Sequence, residues 1–497
     1  MWIARSGASK TRVCVLSNSV TLLCDAETKN YCNKQPCANK ARVASLYCGS
    51  VDINPHRSRV IKIALNVLAA MCVGISMLLQ DFFLAKKLGL GASQDAYQLS
   101  YVIVSNLWNV VSGGAILAVS IPMLSRLKVH ISQSYARRCF FAFSLTYLLT
   151  ISIICLLLGF FSHSIFSLLT TRGNGVDEAQ NVFRLLILSV PLHLIATYFV
   201  SVVVLKELNF VATLSSALVF LTIPLYSTFF PLDIRVAAIL VSVGVTLQLI
   251  FLSVVLFLRR DKSMLSVVLT NEPPVLVEVK NGLLEMSKIA ASALLISLLN
   301  WLVVFDVSAL GAGAVSRFVF AMKPANLIAA FLTVTFANQL LSSFSDLASK
   351  KHYEKLDRKV VTLFLRVLSA SLLIVVTWYF CGHIFYALLF RDSNISGDQR
   401  QLVSQLSTVV MLQLPAYIVG VVAWRGLNAL GRNYEILKAC ICALAGFFLM
   451  RKLFDYDGEY RAAAIYVAAY LPWALYLCIS FKISIRRLTN NNRVLHE

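Results

Sequence analysis

The chain has 497 residues, of which 58% are hydrophobic and only 14% are charged, and its mean hydropathy is +0.75. A soluble globular domain typically contains roughly 45–50% apolar and about 25% charged residues, so the composition excludes that class. The formal net charge of +21 would suit a nucleic-acid-binding protein. However, the basic residues lie in short loops between long apolar segments, which instead indicates a membrane protein and excludes nucleic acid as a partner.

The N-terminal tail, residues 1–59, differs from the rest of the chain. It has no apolar run of helical length, and it contains Cys14, Cys24, Cys32, Cys37 and Cys48. The spacing of these cysteines matches no zinc pattern, and no histidine lies among them. We predict a disordered tail, or an extension from a start codon placed too early. A signal peptide is the weaker interpretation, because polar residues interrupt the short apolar stretch at 13–23.

Twelve apolar segments follow the tail, each long enough to span a bilayer, which takes roughly 20 helical residues. They cover residues 60–80, 97–122, 139–161, 181–205, 209–230, 235–258, 286–310, 315–344, 360–390, 401–424, 434–452 and 461–481. We therefore predict an all-α polytopic membrane protein. Its parts are a six-helix bundle at 60–258, a charged cytoplasmic linker at 259–285, a second six-helix bundle at 286–481 and a cytoplasmic tail at 482–497.

The two halves repeat each other in sequence. Three pairs of segments correspond, in the same order and at nearly the same spacing: 88–92 (LGLGA) with 310–314 (LGAGA), 122–127 with 342–347, and 190–210 with 414–434. An even number of spans per half gives both halves the same orientation in the membrane. The pattern predicts a duplicated transporter, with two pseudo-symmetric bundles around a central cavity.

The loops differ in charge from one side of the predicted membrane to the other. One set carries most of the Lys and Arg residues outside the N-terminal tail, at 126–138, 206, 259–288, 350–359, 425–432 and 482–493. Basic loops remain in the cytoplasm. We therefore expect both termini to be cytoplasmic and the two LGxGA turns to be periplasmic.

The first helical hairpin, residues 81–124, resembles that of the MurJ/MviN lipid II flippases of the multidrug/oligosaccharidyl-lipid/polysaccharide exporter superfamily. The shared residues are Asp81, Ala85, Gly89, Asp95, Ala96, Gly114, Ala115 and Pro122. Residues 314–348 and 425–439 resemble the family again, more diffusely. The resemblance implies the fold and a lipid-linked saccharide as the cargo.

The chain departs from that family at the arginines of its central path. Where the family has arginines in the first and second spans, this chain has Gly74-Ile75-Ser76 and Trp108-Asn109. The arginine of the first span of the second half is replaced by Lys323, which lacks the planar fork of a guanidinium. The resemblance therefore implies a lipid-linked cargo more firmly than it implies lipid II.

Lys323 is the main candidate for binding the cargo. An unpaired ammonium inside a membrane helix costs about 2.5–3.5 kcal/mol on insertion scales, so it usually faces a cavity or a partner. We predict that Lys323 binds a pyrophosphate and that Asn326, one turn further on, orients a sugar or phosphate. The alternative is a lysine whose ammonium extends to the periplasmic surface.

Four charged residues near the turns are candidates for gating or structural roles. Asp306 and Arg317 flank the second turn, and we predict an ion pair between them that leaves Lys323 free for an anion. Asp81 and Asp95 bracket the first turn. Helix capping and local salt bridges explain these two carboxylates, while the resemblance adds gating or cation coupling as an alternative.

Further candidates for the cavity are Arg366, Arg184, Trp108 and Asn109. The two arginines are basic residues inside or at the start of predicted spans, with the membrane interface as the alternative location. We expect Trp108 and Asn109 to face the glycan. His193 is expected to be a packed, hydrogen-bonded histidine.

No HExxH, GxSxG, GxxxxGK[ST], CxxC or DxD motif occurs in the chain, so we predict no enzyme, no cofactor and no metal. The predicted function is a flippase of the bacterial inner membrane that moves a polyprenyl-pyrophosphate saccharide to the periplasmic leaflet by alternating access. An exopolysaccharide or O-antigen unit is an alternative cargo. A non-transporting scaffold for envelope-synthesis enzymes, which would then be its partners, and a membrane glycosyltransferase are alternatives of other classes.

Overall fold

The computed structural model describes residues 55–112, 133–169, 176–205, 208–258, 273–332, 344, 347–348, 350–391, 395–454 and 458–494. Within these ranges the chain forms helices and no strand. They are α1 (Pro55–Leu88), α2 (Ala92–Ser112), α3 (Gln133–Phe160), α4 (Ser162–Leu169), α5 (Val176–Ile187), α6 (Ser189–Leu205), α7 (Asn209–Ser215), α8 (Ala217–Phe229), α9 (Ile234–Leu258), α10 (Pro273–Ser308), α11 (Ala314–Leu332), α12 (Tyr353–Leu389), α13 (Gly397–Met411), α14 (Gln413–Ala429), α15 (Asn433–Leu453) and α16 (Glu459–Val494).

In the described part of the chain, 10 helical segments are long and apolar enough to cross a membrane. Two further helices, α2 and α15, coincide with the two remaining predicted spans, at 97–122 and 434–452. Residues 113–122 of the first of these lie outside the described residues. The expected all-α polytopic fold is confirmed. Its physical basis is that a helix satisfies all its backbone hydrogen bonds internally, as hydrocarbon requires.

Several spans consist of two helices joined by a single-residue turn. Leu188 separates α5 from α6, and Leu412 separates α13 from α14. Pro191 and Pro415 lie three residues after these turns. Because proline has no amide hydrogen, it cannot donate to the carbonyl four residues earlier, and its ring crowds that carbonyl. The positions of these prolines therefore explain the bends from the sequence.

The two halves pack against each other in one compact unit that starts at Ile63. Helix α10 of the second half packs on α2 and α3 of the first, and α11 packs on α2. Within the second half α16 packs tightly on α14 and α15, where small residues permit a close approach. A Cβ atom at Gly426 would lie 2.5 Å from the Phe481 ring, and one at Gly446 would lie 2.7 Å from the Pro472 ring.

Two helices extend far into segments that were predicted to lie outside the spans. Helix α10 begins at Pro273, inside the predicted linker at 259–285. Proline is favoured in the first turn of a helix, so this start agrees with the sequence. Helix α16 continues to Val494 and so includes most of the predicted C-terminal tail. The predictions for residues 1–54, including the five cysteines, and for residues 259–272 concern parts of the chain outside the described residues.

Candidate functional site

The two repeated LGxGA turns lie in direct contact with each other. Gly89, Gly311 and Gly313 have φ values of 71°, 113° and 85°, which glycine adopts without the steric penalty of a side chain. A Cβ atom added at Gly313 would lie 2.7 Å from the carbonyl oxygen of Leu90. The turn of one half therefore approaches the turn of the other so closely that only a hydrogen fits between them.

Asp95 caps the N-terminus of α11, a helix of the opposite half. Its carboxylate oxygens accept hydrogen bonds from the amides of Gly313 (2.6 Å) and Ser316 (2.7 Å), at the N-terminus of α11. These amides have no partner within their own helix, and the helix dipole favours an anion at this end. Burial raises the pKa of the Asp95 carboxyl, while the hydrogen bonds from Ser316 and Gly313 and the Arg317 charge act in the opposite direction.

Lys323 forms the second polar link between the halves. Its Nζ lies 3.0 Å from Oδ1 of Asp81 on α1, and the two side chains are 18% and 4% exposed. The ammonium also lies 5.6 Å from the ring centroid of Tyr101 on α2, within the range of a cation–π interaction. The expectation that Lys323 is free is wrong, because α1 and α2 bring an anion and an aromatic ring to it. We call the Asp95 cap and the Asp81–Lys323 pair the inter-half latch.

The predicted ion pair between Asp306 and Arg317 is wrong. Arg317 Nε donates to both carboxylate oxygens of Glu459, at 2.9 and 3.3 Å, and its Nη2 also contacts this carboxylate. Asp306 instead pairs with Arg451, at 3.0 Å. Although the two residues flank one turn, α10 presents Asp306 to α15, and α11 presents Arg317 to the start of α16.

Trp108 extends the site as part of a row of rings. It is 7% exposed, its ring stacks on His193 at 4.7 Å, and its edge meets Tyr101 at 6.2 Å. The row therefore runs from Lys323 through Tyr101 and Trp108 to His193. In this conformation the Trp108 ring is therefore not exposed but stacks on other side chains of the protein.

The other four sequence candidates form none of the contacts of the latch, although Asn326 follows Lys323 by one helical turn on α11. Arg366 is exposed on α12, a helix most of whose side chains are exposed. Arg184 is also exposed, and its Nε donates to Ser162 Oγ at 3.0 Å. Asn109 on α2 and Asn326 on α11 are exposed as well.

Sequence reasoning missed the partners of the charged candidates. Glu459 and Arg451 carry no local motif, and Glu459 lies 142 positions from Arg317. Tyr101 is one of many aromatic residues in the spans. Only the contact of Asp95 with α11 could have been inferred from the sequence, because the LGxGA turn is repeated. Equivalent turns of two pseudo-symmetric halves lie on the same side of the membrane.

The fold is shared with known transporters. An inward-facing multidrug resistance MATE family transporter of the MOP superfamily is 13% identical, with a TM-score of 0.66, over 85% of this chain and 99% of that chain. The lipid II flippase MurJ in an inward closed conformation is 17% identical, with a TM-score of 0.65, over 87% of this chain and 91% of that chain. An outward-facing MATE transporter is 14% identical, with a TM-score of 0.58, over 87% and 96%.

Comparison with curated protein sequences gives no match. The sequence profile described as lipid II flippase MurJ does match, and it covers residues 84–454. That range includes both LGxGA turns, Asp95, Lys323 and most of the twelve spans. The match over most of the chain, together with the fold, shows that this multi-pass membrane protein belongs to the MurJ lipid II flippase family of transporters.

Proposed function

We propose that this protein moves a polyprenyl-pyrophosphate-linked saccharide, a lipid II-like precursor of peptidoglycan, from the cytoplasmic to the periplasmic leaflet of a bacterial inner membrane. The movement occurs by alternating access between the two halves, and both termini are cytoplasmic. The observation that carries this proposal is the inter-half latch. Five residues of the two repeated hairpins hold the halves together at the end that the charge of the loops assigns to the periplasm.

The strength of the latch suits a contact that has to open in each cycle. It consists of two backbone hydrogen bonds to one carboxylate and one ion pair. Hydrogen bonds to charged groups contribute about 1.5–3 kcal/mol each. A latch of a few such bonds keeps the periplasmic end closed, and the loss of any one of them weakens it by about 1.5–3 kcal/mol.

Lys323 links binding of the cargo to opening of the latch. A pyrophosphate carries more charge than a carboxylate, so it competes with Asp81 for the ammonium. When the cargo takes Lys323, Asp81 loses its partner and the attachment of α1 to α11 weakens. Such an exchange of partners couples the two events, and coupling free energies between sites are typically about 1–3 kcal/mol.

An exopolysaccharide or O-antigen unit is the second candidate cargo. The specific observation in its favour is the absence of arginines at 74–76 and 108–109, where the related lipid II flippases have them. Trp108 stacks on His193 at this position, so an aromatic pair occupies the place where those flippases have a cation. A vesicle assay that compares lipid II with other polyprenyl-linked glycans decides between the cargoes, and failure with every lipid supports the scaffold function.

Substitutions at the ion pair test the proposal. We expect Lys323→Gln to abolish complementation of a flippase-depleted strain at normal protein level. We expect Asp81→Asn to retain cargo binding, because it leaves the ammonium available. If the pair is purely structural, the two variants should lose complementation and cargo binding equally, because each removes the same bond.

Lys482→Gln is the matched control for these variants. Lys482 pairs with Asp357 at 2.6 Å, within the second half and apart from the latch. We expect this variant to complement normally. Normal complementation by Lys323→Gln would remove Lys323 from the transport mechanism.

A further inference from the structure

A cavity of about 700 Å³ lies within the second half, between α12, α13 and the start of α16. Its volume is in the range of ligand pockets, roughly 300–1,000 Å³. None of its lining residues belongs to the inter-half latch. Those that matter for its chemistry are Tyr379, His383, Arg400, Ser404, Gln405 and Tyr460.

The charge of the cavity is set by Arg400. Its Nε donates to the carbonyl of Ile395 at 3.1 Å, which orients the guanidinium and leaves its other N–H groups for a ligand. In the part of the chain that the structure describes, no carboxylate pairs with Arg400, and no acidic residue lines the cavity. A guanidinium without an anion beside it favours a ligand that supplies one.

The neutral lining adds further hydrogen-bond donors. The hydroxyl of Tyr460 donates to Oε1 of Gln405 at 2.5 Å, so the amide nitrogen of Gln405 remains as a donor. The hydroxyl of Ser404 lies one turn from Arg400 on the same helix. A cation together with amide and hydroxyl donors is the usual environment of a phosphate oxygen.

Tyr379, which lines the cavity, indicates where the cavity lies relative to the membrane. Its side chain is 66% exposed, and that of its neighbour Phe380 on α12 is 64% exposed. Exposed Trp and Tyr residues of membrane proteins are enriched where the headgroups meet the hydrocarbon. A ligand with a polar group in the cavity would therefore have its apolar part beside Tyr379, in the bilayer.

We propose that this cavity binds a phosphate ester, whose oxygens accept hydrogen bonds from Arg400 and Gln405. The organic part of the ester packs against Tyr379. Two sources supply this chemistry: the headgroup of an anionic glycerophospholipid, or a soluble phosphate ester. The site is distinct from the path between the halves, so the proposal does not depend on which cargo is carried.

The test is native mass spectrometry of the purified full chain in detergent, titrated with phosphatidylglycerol and, separately, with diacylglycerol, which lacks the phosphate. We expect phosphatidylglycerol to bind and Arg400→Gln to weaken its binding about tenfold, the effect of losing one charge-assisted interaction. Arg391→Gln is the matched control, because Arg391 is an exposed arginine beyond the end of α12 that does not line the cavity. It should change the affinity by less than about twofold.

A second titration uses glycerol 3-phosphate. If only this ester binds, and its binding depends on Arg400, the phosphate site is retained and its ligand is soluble. Gln405→Glu, which places a carboxylate opposite the ligand, should weaken binding in either case, and melting temperatures identify variants that fail to fold. Equal weakening by the Arg400 and Arg391 variants, or binding of neither ligand, would overturn the proposal.

Discussion

Replacing Asp95 with Asn tests whether the latch is held by the cap that one half places on the other. The aspartate carboxylate accepts two backbone hydrogen bonds, from Gly313 at 2.6 Å and from Ser316 at 2.7 Å. An asparagine offers one acceptor oxygen and directs a donor group at the other amide. The substitution also removes the charge that the N-terminus of α11 favours.

The expected effect follows from these two bonds. Hydrogen bonds to charged groups contribute about 1.5–3 kcal/mol, and Asp95→Asn loses one of them and weakens the other. We therefore expect a loss of about 2 kcal/mol from the closed contact. This corresponds to a factor of about 30 in the ratio of closed to open molecules.

Amide hydrogen exchange of the segment 311–318 measures this change directly, since the amides of Gly313 and Ser316 are the groups that Asp95 protects. Their exchange should accelerate by about the same factor as the opening equilibrium. Ser396→Ala is the matched control. Ser396 caps α13 through the amide of Gln399, at 3.3 Å, entirely within the second half, so its loss should leave the segment 311–318 unchanged.

Unaltered exchange of 311–318 in Asp95→Asn would refute the reasoning. It would mean that packing of the turns, and not the carboxylate, keeps this end closed. Equal acceleration in the Ser396→Ala control would also count against the latch, because it would report a general loosening of the second half.

Two glycine substitutions give further predictions. Gly313→Ala should reduce both transport and melting temperature more than Gly311→Ala does. Both residues have positive φ, but only the Cβ atom at 313 would meet the carbonyl of the opposite turn. Equal effects of the two substitutions would show that backbone strain alone is responsible. Gly420→Ala should lower the free energy of unfolding by about 1–3 kcal/mol, since its Cβ atom would overlap the Trp473 ring. Gly397→Ala, which meets no atom within 4 Å, is the control for thermal melting and should be nearly neutral.

The architecture could be predicted from the sequence. A bilayer requires roughly 20 apolar residues per helix, so the positions of the spans follow from composition alone. The repeated LGxGA turns indicated the duplication, and both became tight turns with left-handed glycines. The bends after α5 and α13 follow from Pro191 and Pro415, because a missing amide hydrogen is a local property of the chain.

The charged contacts could not be predicted in the same way. The expected partners Asp306 and Arg317 are neighbours along the chain, yet each finds a different residue on another helix. Lys323 and Asp81 lie 242 positions apart. Hydropathy identifies the helices but not their rotation or their neighbours, so it says nothing about which faces meet.

The sequence by itself therefore determined the spans, the repeat and the turns, because each depends on local composition and on the requirement for internal backbone hydrogen bonds in hydrocarbon. Only the tertiary structure decided that Asp95 caps the helix of the opposite half and that Asp81 holds Lys323. A charge in an apolar surrounding pairs with whatever opposite charge the packing brings within a few ångströms. That choice belongs to the arrangement of helices and not to any segment of the chain.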